Sequence, residues 1–149
     1  MEIRQARRED LAAIVAMIAD DRLGSVREVV GPELEPAYVA AFELISADPN
    51  QLLLVADDGG RAVATLQITF IPGISRRGML RAQIEAVRVD SSMRGEGLGR
   101  TLVEWAIAEA RRRGCGLVQL TTDRSRTRAH SFYVDLGFEA THLGMKLKL

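Results

Sequence analysis

Several residue types that often carry chemistry are scarce in this sequence of 149 residues. The single cysteine, Cys115, excludes an intrachain disulfide and suits a reducing compartment. Cys115 begins an apolar stretch, so we interpret it as a small buried residue rather than a nucleophile. The two histidines, His130 and His142, lie too far apart for a metal-ligand spacing, and we expect no metal site.

Excess charge and long apolar runs are also missing. Lysine plus arginine and aspartate plus glutamate number 20 each, so a general nucleic-acid-binding role finds no support. No apolar run is long enough to cross a membrane, and the first residues lack the apolar core of a secretion signal. We therefore expect a cytoplasmic protein with no nucleic-acid or membrane partner. Its length and its hydrophobic content of 47% suit a single domain over residues 1–149.

The spacing of apolar residues predicts an ordered series of strands and helices. Strands are predicted at 3–6, 51–56, 61–71, 79–89, 117–122, 138–140 and 143–149. Helices are predicted at 9–19, 33–47, 98–113 and 126–136, with Pro32 in the first turn of the second helix. Asp57-Asp58-Gly59-Gly60 predicts a hairpin turn. A right-handed parallel crossover over 80–122 then gives an α/β (α+β) fold, with a mixed sheet of about seven strands and helices on both faces.

The stretch Arg94-Gly95-Glu96-Gly97-Leu98-Gly99 stands between a predicted strand and a predicted amphipathic helix. Glycines at such a junction let backbone N–H groups approach a bulky anion, and the helix N-terminus adds a positive dipole. The stretch therefore indicates a phosphate or pyrophosphate cradle, although a bare surface turn has the same composition.

Two common phosphate loops do not fit this stretch. The dinucleotide fingerprint would place its last glycine where Arg100 stands. The ATP-type loop needs a lysine, and the two lysines of this chain, Lys146 and Lys148, are far away.

Glu85 is a carboxylate inside an otherwise apolar strand. Burying an unpaired carboxylate is costly, so its presence in a buried strand would require a function or a partner. Strand alternation puts Glu85 on the same face as Val87 and Val89, so these residues are predicted to line one cleft. The alternatives are a general base and an ion pair with Arg81 or Arg88.

Two motifs carry a family resemblance. Arg94-x-x-Gly97-x-Gly99 resembles the [Q/R]-x-x-G-x-[G/A] pyrophosphate loop of the GNAT family of N-acetyltransferases, and residues 129–138 (AHSFYVDLGF) resemble its A-x-x-[FL]-Y-x-x-x-G-F stretch. The resemblance covers nearly the whole chain. It implies the acyl-CoA N-acyltransferase fold, acetyl-CoA as the acyl donor, and direct transfer to a primary amine of a small molecule in a ternary complex. It also implies a homodimer.

The resemblance assigns roles to particular residues. Glu85 would take a proton from the amine, directly or through water, and Tyr133 would assist departure of the thiolate, unless it is an ordinary packing residue. The backbone around Val87 and Val89 would bind the pantetheine arm. The pyrophosphate would be held by the glycine-rich loop: Arg94, Gly95, Glu96, Gly97, Gly99 and Arg100.

The chain departs from the family pattern at Arg126, where an asparagine often contacts the cofactor arm. Arg126 or Arg128 could instead meet a cofactor phosphate, and His130 is either a substrate contact or a surface residue. The acceptor side is expected in the segment between the first two helices, which offers Asp20, Asp21, Arg22, Arg27 and Glu28. A protein lysine or N-terminal amine, a non-catalytic acyl-CoA-binding or regulatory module, and a subunit whose partner supplies the acceptor site all remain open.

Overall fold

The computed structural model describes residues 1–149 and is built around a five-stranded mixed sheet in the order β1-β2-β3-β4-β5. The strands are β1 (Glu2–Gln5), β2 (Gln51–Asp58), β3 (Arg61–Pro72), β4 (Leu80–Val89) and β5 (Leu117–Leu120). The helices are α1 (Leu11–Ala19), α2 (Pro36–Ala47), α3 (Leu98–Arg112) and α4 (Thr127–Asp135), with short helical turns at Arg8–Asp10, Gly24–Val26, Ser75–Gly78 and Ser91–Met93.

Strand pairing confirms the predicted mixed topology. The first four strands are antiparallel neighbours, and β4 pairs with β5 in parallel through the crossover helix α3. The predicted hairpin joins β2 to β3, and Gly59 and Gly60 occupy its turn with φ of +60° and +93°. Glycine reaches this left-handed region without steric cost, so the Gly-Gly pair determines where the chain reverses.

Apolar side chains cover both faces of the sheet. On one face, Leu54, Leu66 and Ile68 pack with Leu102 and Val103 of α3, and all five are at most 1% exposed. On the opposite face, Val55 packs against Ile14 and Met17 of α1. The prediction of helices on both faces is therefore confirmed. Alternation along β2 and β3 explains the division, because successive side chains of a strand point to opposite faces.

The second helix begins later than predicted. It starts at Pro36, preceded by Glu35 in an extended conformation, rather than at Glu33 after Pro32. Proline suits the first helical position because its fixed φ fits and its missing N–H would have had no partner there. Pro32 and Pro36 carry the same local signal, so the presence of a proline alone does not decide where the helix begins.

The predicted closing pair of strands is wrong. No strand follows β5, so the sheet has five strands rather than about seven. The alternating apolar residues of this segment are exposed: Leu143 (79%), Met145 (94%), Leu147 (86%) and Leu149 (117%). Alternation alone does not make a strand, because a strand also needs hydrogen bonds from a neighbouring edge. β5 is the last strand of the sheet, and this segment does not pair with it. None of the helices combines the length and apolar character needed to cross a membrane.

Candidate active site

The sheet is interrupted between β4 and β5. The two strands pair over four residues only, from Arg81 opposite Leu117 to Ile84 opposite Leu120. β4 then continues to Val89 without β5 beside it. Backbone groups on this edge of residues 85–89 therefore have no strand partner, and we call the gap beside them the cleft.

A bulge in β4 lies beside this gap. Gln67 lies opposite Glu85 and Thr65 opposite Arg88, so two steps along β3 match three along β4. The bulge lies at residues 86–87 of β4, and Ala86 has a left-handed φ of +52°. This conformation costs a non-glycine residue about 1–2 kcal/mol, and bulges of this kind are common beside active sites. No glycine marks this position, so the bulge has no signal in the sequence.

The bulge reverses the side-chain alternation of β4. Val87 and Val89 pack against the core on the α3 side, whereas Glu85 and Arg88 lie opposite β3 residues that face the other way. The prediction that Glu85 shares a face with Val87 and Val89 is therefore wrong, because the extra residue at Ala86 shifts the parity after Glu85.

Glu85 is exposed, and the expectation of a buried carboxylate is wrong. It forms no ion pair with Arg81 or Arg88. Instead, Gln83 Nε2 donates to Glu85 Oε1 at 2.7 Å, and Gln119 Nε2 donates to Gln83 Oε1 at 2.8 Å. This row of side chains crosses from β5 to β4 on one face and fixes one oxygen of Glu85, while Oε2 accepts no hydrogen bond from the protein. A carboxylate held in this way can accept a proton at Oε2.

The glycine-rich loop presents unpartnered donors. No backbone N–H of residues 94–100 donates a hydrogen bond within the protein. Gly95 and Gly97 have φ of +89° and +79°, and Gly97 caps the N-terminus of α3, whose first turn holds no acidic side chain. Consecutive amides in this conformation, together with the helix dipole, form a concave site for an anion. The loop therefore fits a pyrophosphate.

Side chains around the loop hold it against the rest of the fold. Arg94 Nη2 lies 2.8 Å from Asp20 Oδ2 at the end of α1, and Arg100 Nη1 lies 3.4 Å from Glu104 Oε1. A Cβ on Gly99 would lie 3.7 Å from both Phe132 Cζ and Val89 Cγ2, so α3 packs closely on its neighbours there. The backbone amides are the free groups of the loop, since Arg94 is already engaged.

Tyr133 is half-buried on α4. Its ring makes edge-on contacts with Phe132 and Phe138, at centroid distances of 5.1 Å and 5.8 Å, and its hydroxyl has no hydrogen-bond partner in the protein. Burial raises the pKa of Tyr133 above its ordinary value, although Arg88 and Arg126 act to lower it. The phenol thus keeps its proton at neutral pH and can donate a hydrogen bond.

One cluster of charged side chains has no signal in the sequence. Asp21 Oδ2 lies 2.7 Å from Arg126 Nη1 and 3.4 Å from Arg88 Nη2. Burial acts to raise the pKa of Asp21, but the Gly24 amide and both arginines outweigh it, and the pKa is lowered. Arg126, which the sequence offered as a cofactor contact, instead pairs with Asp21. No sequence signal links these residues, because they come from three separate segments.

His130, for which the sequence left open a substrate contact or a surface position, is exposed.

The sequence pattern of the acetyltransferase (GNAT) family matches residues 12–138. This chain belongs to that family. The GNAT chain is 29% identical to an aminoalkylphosphonate N-acetyltransferase of Salmonella typhimurium, over 95% of this chain and 86% of that protein. It is 34% identical to glucosamine 6-phosphate N-acetyltransferase 1 of Oryza sativa subsp. japonica, over 78% of this chain and 70% of the relative.

Solved structures share the whole fold. A protein of Bacillus halodurans C-125 described as a transcriptional regulator is 47% identical, with a TM-score of 0.97 over 99% of both chains. Glucosamine-6-phosphate N-acetyltransferase of Arabidopsis thaliana shows the same fold at 24% identity, with a TM-score of 0.79 over 99% of this chain and 97% of that one. Family and relatives make this chain an N-acetyltransferase, and the family uses acetyl-CoA as co-substrate. No group of three or more His, Cys, Asp or Glu residues is placed to hold a metal ion.

Proposed function

We propose that this N-acetyltransferase moves the acetyl group of acetyl-CoA to a primary amine of a small molecule. One observation carries the proposal: the amides of residues 94–100 make no hydrogen bond within the protein, and this loop follows the part of β4 that β5 leaves unpaired. Glu85 and Tyr133 would flank the acetyl group there. The relatives named for aminoalkylphosphonate and glucosamine 6-phosphate, both small amines, support this class of acceptor.

The donor would lie along the cleft. The pyrophosphate would accept hydrogen bonds from the loop at Gly95 to Arg100, where a cluster of aligned amides offsets its negative charge. The pantetheine arm would pair with the free edge of β4 near Val87 and Val89. This placement would bring the thioester to the bulge at Ala86, where Glu85 and Tyr133 would act on it.

The chemistry then follows from direct attack. The amine nitrogen forms a bond to the thioester carbonyl carbon and loses a proton, which Glu85 Oε2 accepts directly or through water and passes to solvent. Collapse of the tetrahedral intermediate breaks the carbon–sulfur bond and releases a thiolate. Tyr133 stabilises that thiolate by donating a hydrogen bond. Its raised pKa exceeds the thiol value of about 8.5, so the phenol keeps its own proton and solvent completes the thiol.

The rival interpretation is an acyl-CoA-binding regulatory module without catalysis. The Bacillus halodurans relative described as a transcriptional regulator favours it. Retention of a tethered carboxylate at Glu85 and a protonated phenol at Tyr133 favours catalysis, because simple binding of acyl-CoA needs neither group.

We also propose that the protein is a cytoplasmic homodimer. The exposed apolar residues at the C-terminus, including Met145 and Leu147, support association of two copies, since monomers seldom expose such a series. The single cysteine suits a reducing compartment.

Thiol release from acetyl-CoA tests the proposed activity. The purified chain is incubated with acetyl-CoA and a panel of small amines, free amino acids and short peptides, and free thiol and N-acetyl product are measured together. We expect thiol release that requires a small amine and matches product in amount. Binding of acetyl-CoA without amine-dependent release would instead favour the regulatory module, and release with peptides alone would favour a protein acceptor.

A further inference from the structure

Two arginines converge on one carboxylate oxygen beside the cleft. Arg88 comes from β4, Arg126 from the residue before α4, and Asp21 from the segment after α1, and their side chains are 20%, 26% and 23% exposed. Gly24 holds Asp21 in place, since its amide donates to Asp21 Oδ1 and a Cβ there would collide with the Ile18 carbonyl of α1. Asp21, the residue that both arginines contact, is therefore fixed against the end of α1.

The cluster carries excess positive charge. One carboxylate faces two guanidinium groups, and the Nε of Arg88 is inaccessible and has no hydrogen-bond partner. Arg88 Nη1 donates only to the carbonyl of its neighbour Val87, at 2.8 Å. Burial, and then repulsion from Arg126, lowers the pKa of Arg88, and Arg27 adds further positive charge. A second anion at this place would compensate the charge that Asp21 leaves unbalanced.

The position of the cluster relates it to the reacting groups. Arg88 and Glu85 lie on the same face of β4, on either side of the bulge. Three residues of strand span about 10 Å at most, so the two side chains can be bridged by a small molecule. Tyr133 is close enough to Arg88 and Arg126 for both to influence its pKa.

We propose that Arg88 and Arg126 form an anion subsite for the acceptor. The substrate is then a small amine that carries a phosphonate, phosphate or carboxylate a few bonds from its nitrogen. This inference rests on the proposed acetyl transfer and deepens it. Guanidinium groups bind such anions through paired charge-assisted hydrogen bonds, and Asp21 keeps the two arginines oriented toward one point.

Binding of methylphosphonate tests the subsite without any chemistry. This probe has the anion and no amine, and saturating CoA keeps it out of the glycine-rich loop. By calorimetry we expect binding to the wild type, a loss of at least tenfold in Arg88→Gln and Arg126→Gln, a smaller loss in Arg88→Lys, and no change in Arg124→Gln, an exposed arginine nearby. Acetate in place of methylphosphonate ranks carboxylate against phosphonate. The subsite would be overturned if methylphosphonate does not bind the wild type, or if both Gln variants bind it as tightly as the wild type does.

Kinetics separate this inference from the proposed function. The amines are aminoethylphosphonate, phosphoethanolamine, beta-alanine and neutral ethanolamine. For the wild type, we expect kcat/KM for ethanolamine to be at least tenfold below kcat/KM for the best anionic amine. In Arg88→Gln we expect this preference to disappear because KM for the anionic amine rises. Equal kcat/KM for all four would refute the subsite and leave acetyl transfer standing. Methylphosphonate binding without turnover of any amine in the wider panel would refute the transferase proposal and leave the subsite standing.

Discussion

Tyr133 combines a fixed ring with a free hydroxyl. Two edge-on aromatic contacts hold the ring, and no protein group uses the phenol. Because burial raises its pKa, the group stays protonated over the range in which amines are acetylated. A residue that only packed would have no need of its hydroxyl, so removing that one atom distinguishes the two roles.

Tyr133→Phe is predicted to lower kcat by about 100-fold, the lower end for loss of a hydrogen-bond donor to developing negative charge, because the departing thiolate loses its hydrogen bond. The Kd for acetyl-CoA should change less than twofold, since the ring contacts remain. Steady-state kinetics and calorimetry measure the two quantities. An unchanged kcat would remove Tyr133 from the reaction and leave it as a packing residue.

Asp10 supports the fold rather than the site. It is 5% exposed, and Arg4 pairs with it at 2.7 Å while also pairing with Asp57 at 2.7 Å. The hydrogen bond from Arg4 lowers the pKa of Asp10 below its ordinary value of 3.8, against the effect of burial. Asp10 thereby joins β1 to the start of α1.

Asp10→Asn is predicted to lower the free energy of unfolding by about 2 kcal/mol at pH 7, because Arg4 loses its charge-assisted hydrogen bonds to Asp10 and keeps only Asp57 as a charged partner. Since the folded-state pKa of Asp10 is depressed, its contribution is fully present above pH 3.8 and is lost as the pH falls toward the folded value. Urea unfolding at several pH values measures both effects. Asp58→Asn, at an exposed position, is the control. Equal stability of the two variants at pH 7 would show that the network contributes little.

The loop before α3 depends on backbone conformation and not on side-chain space. A Cβ on Gly97 would meet no atom within 4 Å, yet its φ of +79° strains any other residue. A β-branched residue should therefore move the backbone and misalign the amides that face the anion, while the core stays intact.

Gly97→Val is predicted to abolish the rise in Tm that saturating CoA gives the wild type, with a loss of about 1–2 kcal/mol in unliganded stability. Gly59→Val is a matched control, because Gly59 also has a positive φ of +60° and open space, in a hairpin turn away from the loop. Thermal unfolding with and without CoA compares them. Retained stabilisation in Gly97→Val would contradict the assignment of the loop.

Features of the site that depend on local sequence were predictable. The glycine-rich loop and Tyr133 each belong to a short motif that can be found in the sequence alone. The bulge at Ala86 was not predictable, because it depends on the register between β3 and β4. The exposure of Glu85 follows from the same cause, since an apolar strand pattern does not reveal where the sheet opens.

Most of the element order was also predictable, and the error at the C-terminus is informative. Residues 138–149 have the alternation of a strand, but pairing is a property of two segments. The cluster of Asp21, Arg88 and Arg126 escaped prediction for a similar reason, since its members meet only after the chain has folded.

The proposed dimer rests on the same C-terminal segment. Met145 and Leu147 are 94% and 86% exposed, and burying them between two copies would recover about 1.5–3 kcal/mol for each side chain. Light scattering is predicted to give a dimer for the wild type and a monomer for Met145→Glu/Leu147→Glu. Lys146→Glu/Lys148→Glu, which changes charge in the same segment, controls for a simple charge effect. A monomeric wild type at micromolar concentration would contradict the dimer.

A crystal structure with bound CoA tests the central claim, that the interrupted sheet and the glycine-rich loop form one acyl-CoA site. The account predicts pyrophosphate oxygens within hydrogen-bond distance of the amides of residues 95–100. It also predicts the pantetheine arm beside β4 at Val87 and Val89, and the sulfur next to the Tyr133 hydroxyl. A pyrophosphate held elsewhere, with the loop amides still without a ligand, would contradict it.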